Sequence, residues 1–153
     1  MPVVGYFTAE IGLWSELHTY SGGLGVLAGD HVKSAADAGI SLIGVTLLYH
    51  QGYARQHIDS NGIQTETFPD FDPSKHLTKT DITITLALDG QTLSAHVWKA
   101  DIVGQSGHIV PVYFIDTRHD ANTSEHQSLS SKLYGGDDDM RIRQEYVLGV
   151  GGV

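Results

Sequence analysis

The chain has 153 residues, of which 41% are hydrophobic, and a formal net charge of −9 from 18 acidic and 9 basic side chains. Because a broad nucleic-acid surface requires a basic patch, this balance argues against such a surface, and we expect no nucleic-acid partner. The lack of cysteine excludes disulfides and thiolate metal sites and favours the cytoplasm, and no apolar run approaches the roughly 20 residues that span a membrane.

Residues 1–49 have the pattern of a β–α–β unit, so we expect an α/β fold. Apolar runs at residues 3–7 and 41–49 predict two strands, the second buried on both faces. Between them, residues 20–40 read YSGGLGVLAGDHVKSAADAGI, a glycine-rich turn leading into an amphipathic helix that ends near Gly39. The residues expected on its buried face are Leu24, Leu27, Ala28, Val32 and Ala35. Units of this kind bind ligands beyond the carboxyl ends of their strands.

The rest of the chain is less regular. Residues 8–19 form an unusually long connection, for which we expect a helical segment. Asn61-Gly62 predicts a β-hairpin over residues 52–67, and alternating residues 81–102 predict a second hairpin with one solvated face. Residues 108–116 predict a strand that Pro111 places at a sheet edge or a bulge.

Towards the end of the chain, we expect a short polar helix within residues 120–131 and a longer helix from Met140. Because the sequence stops at Gly151-Gly152-Val153 without a polar tail, we expect residues 1–153 to be a single, incomplete domain.

The glycine turn is the main candidate site that the residues themselves indicate. Gly22, Gly23 and Gly25 let the backbone turn tightly and approach a ligand, while the first helical N–H groups point outward at the positive end of the helix dipole. Such amides hold an anion without a basic side chain. The turn matches neither GxGxxG nor GxxxxGK[ST], so the alternative that the glycines only shape the helix entry stays open.

Other polar patterns favour structural roles. Nine histidines are present, but no HExxH motif or close pair on one helix face occurs, so no metal site is predicted. His31 is expected to be a hydrogen-bonded packing residue. Ser, His and Asp are plentiful enough for a Ser–His–Asp hydrolase, but its GxSxG motif is missing. Asp137, Asp138 and Asp139 predict an N-cap and compensation of the dipole of the last helix.

Segments that follow one another along the whole chain resemble the α-glucan phosphorylases, which are the glycogen, starch and maltodextrin phosphorylases. They are YFTAE at residues 6–10, YSGGLGVLAGDHVKSAADAG at 20–39, LLYHQGYARQ at 47–56 and LYGGDDDMRIRQEYVLGVGGV at 133–153. The resemblance is greatest to the N-terminal part of the shorter bacterial and archaeal branch. It implies a longer protein in which two Rossmann-like domains face each other in the GT-B arrangement, with this chain forming part of the first domain, together with added β-hairpins.

The resemblance also implies an activity. The family transfers a terminal α-1,4-linked glucosyl unit to inorganic phosphate, giving glucose-1-phosphate, and uses the phosphate group of pyridoxal 5'-phosphate. The implied partners are an α-1,4-glucan, inorganic phosphate, the remainder of the same polypeptide and, since the family is commonly dimeric, a second copy. The lysine that binds the cofactor belongs to the family's C-terminal domain, so this chain alone is expected to be inactive.

Site residues carry over at matching positions. The loop at residues 21–25 resembles the family loop whose backbone amides reach the substrate phosphate and the glucosyl unit. The expected binding residues are Gly22, Gly23, Leu24 and Gly25. Glu10 matches a family glutamate near the same cleft, and Asp137 follows a loop that borders the glucosyl site, so both are candidate cleft residues. The alternatives are structural: hydrogen bonding to nearby backbone for Glu10 and helix capping for Asp137. No catalytic residue is expected within the chain.

Two further functions fit parts of the sequence. A nucleotide-sugar glucosyltransferase of the starch-synthase kind also has a GGLG loop, but its Lys-Thr-Gly-Gly lead-in differs from Tyr20-Ser21-Gly22-Gly23. A non-catalytic module that binds glucan or another chain predicts folding without cofactor and exposed apolar surface where a partner docks.

Overall fold

The computed structural model describes residues 2–153 and contains a mixed sheet, a separate hairpin and helices on the faces of the sheet. The strands are β1 (Val4–Phe7), β2 (Leu42–Leu47), β3 (Arg55–Ile58), β4 (Gln64–Thr67), β5 (Thr78–Leu88), β6 (Gln91–Val103) and β7 (Ile109–Asp116). The helices are α1 (Gly23–Asp37), α2 (Ser124–Ser128) and α3 (Asp138–Gly151), with a 3₁₀ turn at Pro73–Lys75. No helix within this part of the chain has the length and apolar content needed to cross a membrane.

The main sheet has five strands in the order β1-β2-β7-β6-β5. β1, β2 and β7 are parallel, whereas β6 pairs antiparallel with both β7 and β5. The parallel pairing of β1 and β2 across α1 confirms the predicted β–α–β unit and the α/β fold. Both predicted hairpins are also confirmed: β3 pairs with β4, and β5 pairs with β6.

The sheet is covered on both faces. Phe114 and Ile115 of β7 lie in different cores, because successive side chains of a strand point to opposite faces. The first core packs against α1 and contains Ile11, Val32, Val110, Val112 and Phe114. The second packs against α3 and contains Val45, Leu47, Leu93, Ile115 and Val147.

The buried face of α1 is the predicted one only in part: Ala28, Val32 and Ala35 are buried as expected. Leu24 and Leu27 are 56% and 64% exposed, and His31, expected to be a packing residue, lies at the surface with its ring against Tyr6. The buried residues are Gly25, Ala28, Gly29, Val32, Ala35 and Ala36. In the first two turns of α1, the buried face contains Gly25 and Gly29, which let the helix backbone lie directly on the neighbouring chain. Because glycine is not counted as hydrophobic, a hydrophobic pattern does not reveal this part of the face.

Residues 8–19 contain no helix, so that expectation is wrong. The segment is held by backbone contacts instead: the Ile11 amide donates to the Thr19 carbonyl (2.9 Å), and the Gly12 amide donates to the Gly25 carbonyl (2.8 Å). Ile11, Leu13 and Leu17 fill the first core. The segment is thus part of the packing under α1.

Pro111 lies in the central strand β7, whose register with β6 is continuous, so the prediction of a sheet edge or a bulge is wrong. Its partner in β6 is Asp101, but the parallel pairing of β7 with β2 begins only at Val112, opposite Gly44. Since Pro111 has a paired neighbour on one side only, its missing N–H interrupts no ladder with β2.

A buried polar cluster joins the carboxyl ends of β2 and β7. The Nε2 of His50 lies 2.8 Å from Oδ1 of Asp116, and Trp98 donates from Nε1 to Oδ2 at 3.1 Å. The Arg118 amide also donates to Oδ1 (2.9 Å). Burial raises the pKa of Asp116, but the hydrogen bond and charge attraction from His50, with these donors, outweigh it and hold the pKa below its usual value.

We predict that Gly29→Ala destabilises the fold while Gly149→Ala does not. A Cβ at Gly29 would lie 1.9 Å from the Gly12 carbonyl oxygen, so helix and segment must separate, at a cost of about 2–3 kcal/mol. A Cβ at Gly149, in α3, meets nothing within 4 Å, and alanine there should stabilise the helix by up to about 1 kcal/mol. Urea unfolding measures both, and equal stability of the two variants would contradict the close contact.

We also predict that Asp116→Asn lowers stability by about 3 kcal/mol at pH 7, because it breaks a buried pair. The folded-state pKa of Asp116 is depressed, so its contribution is present above the unfolded pKa of about 3.9 and is lost as the pH falls through the folded pKa. The difference between wild type and variant should therefore shrink below about pH 4. Asp101→Asn, which removes a surface pair with Lys99, is the control and should cost less than about 1 kcal/mol.

Candidate functional site

The candidate site lies at the edge of the sheet where the parallel strands β1, β2 and β7 end. Glu10 and His50 lie three residues beyond the ends of β1 and β2, Asp116 is the last residue of β7, and the three are 2%, 4% and 3% exposed. Buried polar side chains are costly unless hydrogen-bonded, so their concentration at one edge marks an organised polar region. The glycine turn that precedes α1 meets this same edge through Glu10.

The glycine turn presents its outer side to solvent. Gly22 and Gly23 are exposed, and a Cβ added to either would meet nothing within 4 Å. Gly22 is the N-cap of α1, no side chain caps the helix, and its first turn contains no acidic residue. The amides at the start of α1 therefore have no side-chain cap, and Gly22 and Gly23 lie on an open surface, which fits anion binding at a helix N-terminus.

The four expected binding residues do not share one environment. Gly22, Gly23 and Leu24 are exposed, whereas Gly25 is buried. A Cβ at Gly25 would lie 2.3 Å from Cβ of Tyr20 and 3.3 Å from Oε2 of Glu10. Gly25 thus allows close packing beneath the turn, and ligand contact by its amide stays a prediction.

Glu10 connects the glycine turn to a second loop. Its Oε2 accepts hydrogen bonds from the Ser21 amide (2.7 Å) and the Ser21 hydroxyl (3.2 Å), and its Oε1 accepts one from the Tyr134 hydroxyl (3.1 Å). The structural interpretation, in which nearby backbone satisfies this carboxylate, therefore describes one of three bonds. The sequence places Ser21 in the glycine loop but gives no sign that Ser21 or Tyr134 bonds to Glu10, because partners 11 and 124 residues away leave no local pattern.

Two tyrosine hydroxyls lie around Glu10. Tyr49 donates to the Ala9 carbonyl at 2.9 Å, and burial raises its pKa well above the usual value. Burial and the hydrogen bond to Glu10 also raise the pKa of Tyr134. Both phenols consequently keep their protons at neutral pH and act as donors.

Asp137 caps a helix. It is exposed, and its Oδ1 accepts from the Met140 amide at 3.0 Å, with Asp138 and Asp139 in the first turn of α3. This confirms the predicted capping role. The carboxylate thus already accepts a hydrogen bond from its own helix. Contact between Asp137 and a ligand stays a prediction.

Histidines do not gather into a metal site in the described chain: no group of three or more His, Asp or Glu side chains has ligand geometry between residues 2 and 153. His50 pairs with Asp116, and His57 lies 3.0 Å from the Thr67 hydroxyl across the β3–β4 hairpin. These histidines have protein partners in the fold.

Two grooves matter here: one adjoins the site and the other lies away from it. One of about 260 Å³ lies beside Tyr134 and is lined by Tyr53, Glu66, Phe68 and Lys132. A larger apolar groove of about 340 Å³ lies on the sheet face beyond the end of α3, away from the glycine turn. The larger groove contains no polar cluster and is unsuited to holding an anion.

Known proteins are similar to almost the whole chain. No protein-family model matches the chain. Similar proteins include a glycogen phosphorylase of Mycobacterium tuberculosis (41% identity over 98% of this chain), a maltodextrin phosphorylase of Thermococcus litoralis (38% over 99%) and a glycogen phosphorylase of Aquifex aeolicus (36% over 99%). The chain spans only 18%, 18% and 22% of their respective lengths. Over nearly its whole length, the chain is therefore related to an N-terminal segment of the α-glucan phosphorylases, as its sequence predicted.

Proposed function

We propose that this chain provides the phosphate-binding turn of an α-glucan phosphorylase. The complete enzyme would transfer a terminal α-1,4-linked glucosyl unit to inorganic phosphate and release glucose-1-phosphate. The proposal is supported by the relatives' names and by one structural observation, the open and uncapped N-terminus of α1.

The contrast among the helices supports this use of α1. The N-terminus of α2 is capped by Thr123, whose hydroxyl accepts from the His126 amide, and α3 is capped by Asp137. α1 has a glycine at the same position and no side-chain cap. Because an unpaired helix N-terminus attracts negative charge, a phosphate can take the place that side chains occupy in α2 and α3.

The turn would act on the phosphate while bonds change at the sugar. In the proposed reaction, the bond between the anomeric carbon and the glycosidic oxygen breaks, that oxygen takes a proton from the phosphate, and a phosphate oxygen bonds to the anomeric carbon. Amides that are already oriented stabilise the shifting phosphate charge without reorganisation. Glu10, through Ser21, would keep those amides in place.

The lysines of this chain do not fit the covalent cofactor site that the resemblance implies. Four of the five lysines have partners away from the glycine turn: Lys75 with Asp72, Lys79 with Trp98, Lys99 with Asp101, and Lys132 with Phe68 in the groove beside Tyr134. The fifth, Lys33, is exposed on α1. We therefore assign pyridoxal 5'-phosphate to another part of a longer polypeptide.

The same proposal includes the larger architecture. In it, the chain is part of the first Rossmann-like domain of a GT-B arrangement, and further polypeptide covers the apolar groove beyond α3. That groove is lined by Ile43, Ile82, Ile84, Tyr113 and Val153. Exposed apolar surface also fits a non-catalytic module that docks on a partner. The homodimer and the cytoplasmic location stay predictions.

The nucleotide-sugar glucosyltransferase is the less favoured enzyme. Its characteristic lead-in to the glycine loop is absent, and the relatives compared above are named phosphorylases. A competition experiment separates the two: the phosphorylase proposal expects inorganic phosphate to bind in preference to a nucleoside diphosphate.

The proposal is tested by titrating the chain with inorganic phosphate at constant ionic strength and following backbone amide resonances by NMR. We expect saturable shifts at Gly22, Gly23 and Leu24, with chloride at the same ionic strength producing none. Absence of saturable shifts at the turn would remove the support for phosphate binding there.

We predict that Gly23→Val weakens phosphate binding at least about tenfold with little loss of stability. A side chain at Gly23 enters open space, so folding is spared, but it fills the volume in front of the helix amides. Gly149→Val is the matched control, because Gly149 is also helical with nothing within 4 Å of an added Cβ. If both variants bind phosphate like the wild type, the ligand does not lie against Gly23.

A further inference from the structure

We propose that Tyr134 is a positioning residue that holds the phosphate-binding turn in place through Glu10. This inference rests on the proposed function, because it concerns the geometry of the same turn. Even without a ligand, the loop that carries Tyr134 and the glycine turn are coupled through the Glu10 carboxylate.

The contact chain consists of two links. Tyr134 donates its hydroxyl to Oε1 of Glu10 at 3.1 Å, and Oε2 of Glu10 accepts from the amide and hydroxyl of Ser21 at 2.7 and 3.2 Å. Ser21 immediately precedes Gly22, the N-cap of α1. The orientation of the Glu10 carboxylate thus fixes the position of Ser21, the residue before the N-cap of α1.

Glu10 has little freedom while both links are intact. Its side chain is 2% exposed, so solvent does not replace a lost partner. If the Tyr134 hydroxyl is removed, Oε1 loses a donor and the carboxylate can rotate towards another one. The bonds that Oε2 makes to Ser21 would then lengthen or break, and the amides of the first turn of α1 would lose their fixed direction.

The loop that carries Tyr134 also depends on the hydrogen bond between Tyr134 and Glu10. Tyr134 has φ 55°, a left-handed conformation that non-glycine residues rarely adopt, and Gly136 follows with φ 78°. A strained backbone of this kind persists where surrounding contacts hold it. Tyr134 is 45% exposed, so the hydroxyl bond to Glu10 is one of the contacts available to hold it.

The donor state of Tyr134 supports the arrangement. Burial and the hydrogen bond to Glu10 raise the pKa of the phenol, so it remains a donor at neutral pH. Because coupling between two sites is reciprocal, a phosphate that orders the turn should also order the Tyr134 loop.

The test uses Tyr134→Phe, which removes only the hydroxyl, and Tyr146→Phe as a matched control. Tyr146 also donates its hydroxyl to one acceptor, the Ala87 carbonyl (3.2 Å), and it is 37% exposed. Without phosphate, we expect the Ser21 amide to exchange its hydrogen about tenfold faster in Tyr134→Phe and unchanged in Tyr146→Phe. Unchanged Ser21 exchange in folded Tyr134→Phe would overturn the proposal.

A double-mutant cycle shows whether the effect passes through Glu10. With phosphate, we expect Tyr134→Phe to weaken binding about three- to tenfold in the wild type and not at all in the Glu10→Gln background. Equal weakening in both backgrounds would overturn the route through Glu10. If the wild type binds no phosphate, the proposed function fails, while Ser21 exchange in Tyr134→Phe and Glu10→Gln still decides the coupling.

Discussion

The contact on which the site depends is the direct approach of α1 to the segment that follows β1. The Gly12 amide donates to the Gly25 carbonyl, and Gly29 leaves no room for a Cβ against the Gly12 carbonyl. Backbone therefore packs on backbone, which places the N-terminus of α1 beside the carboxyl end of β1. Since Glu10 lies in the same segment, its carboxylate comes within hydrogen-bond distance of Ser21.

Much of the fold could be predicted from local patterns. The alternation along residues 81–102, the Asn61-Gly62 turn and the apolar run of β2 each correspond to an observed element. Predictions failed where a residue's role depends on distant neighbours. Leu24 and Leu27 suit a buried helix face but are exposed, because glycines form the buried face at the start of α1. Pro111 suits an edge strand, yet it is tolerated in β7 because β2 begins its pairing one residue later.

The candidate site could be predicted only in part, for a related reason. A glycine turn before a helix is visible in sequence, and so are the acidic residues that cap α3. The bonds of Glu10 are not visible, because Ser21 and Tyr134 are brought to it by tertiary packing alone. His50 and Asp116 were likewise scattered in the sequence and are joined where β2 and β7 end. Hydrogen bonds between distant residues, unlike helix and strand periods, have no sequence spacing to reveal them.

The two edge strands of the main sheet, β1 and β5, differ in how they resist pairing with a strand of another chain. β5 carries Lys79 and Asp81, and its register with β6 shifts between Lys79 and Thr83, features that discourage another chain from adding a strand. The other edge strand, β1, has only four residues, with exposed Val4 and Phe7 and no charged side chain. The short length of β1, rather than charge or a register shift, is therefore what limits strand addition along this edge.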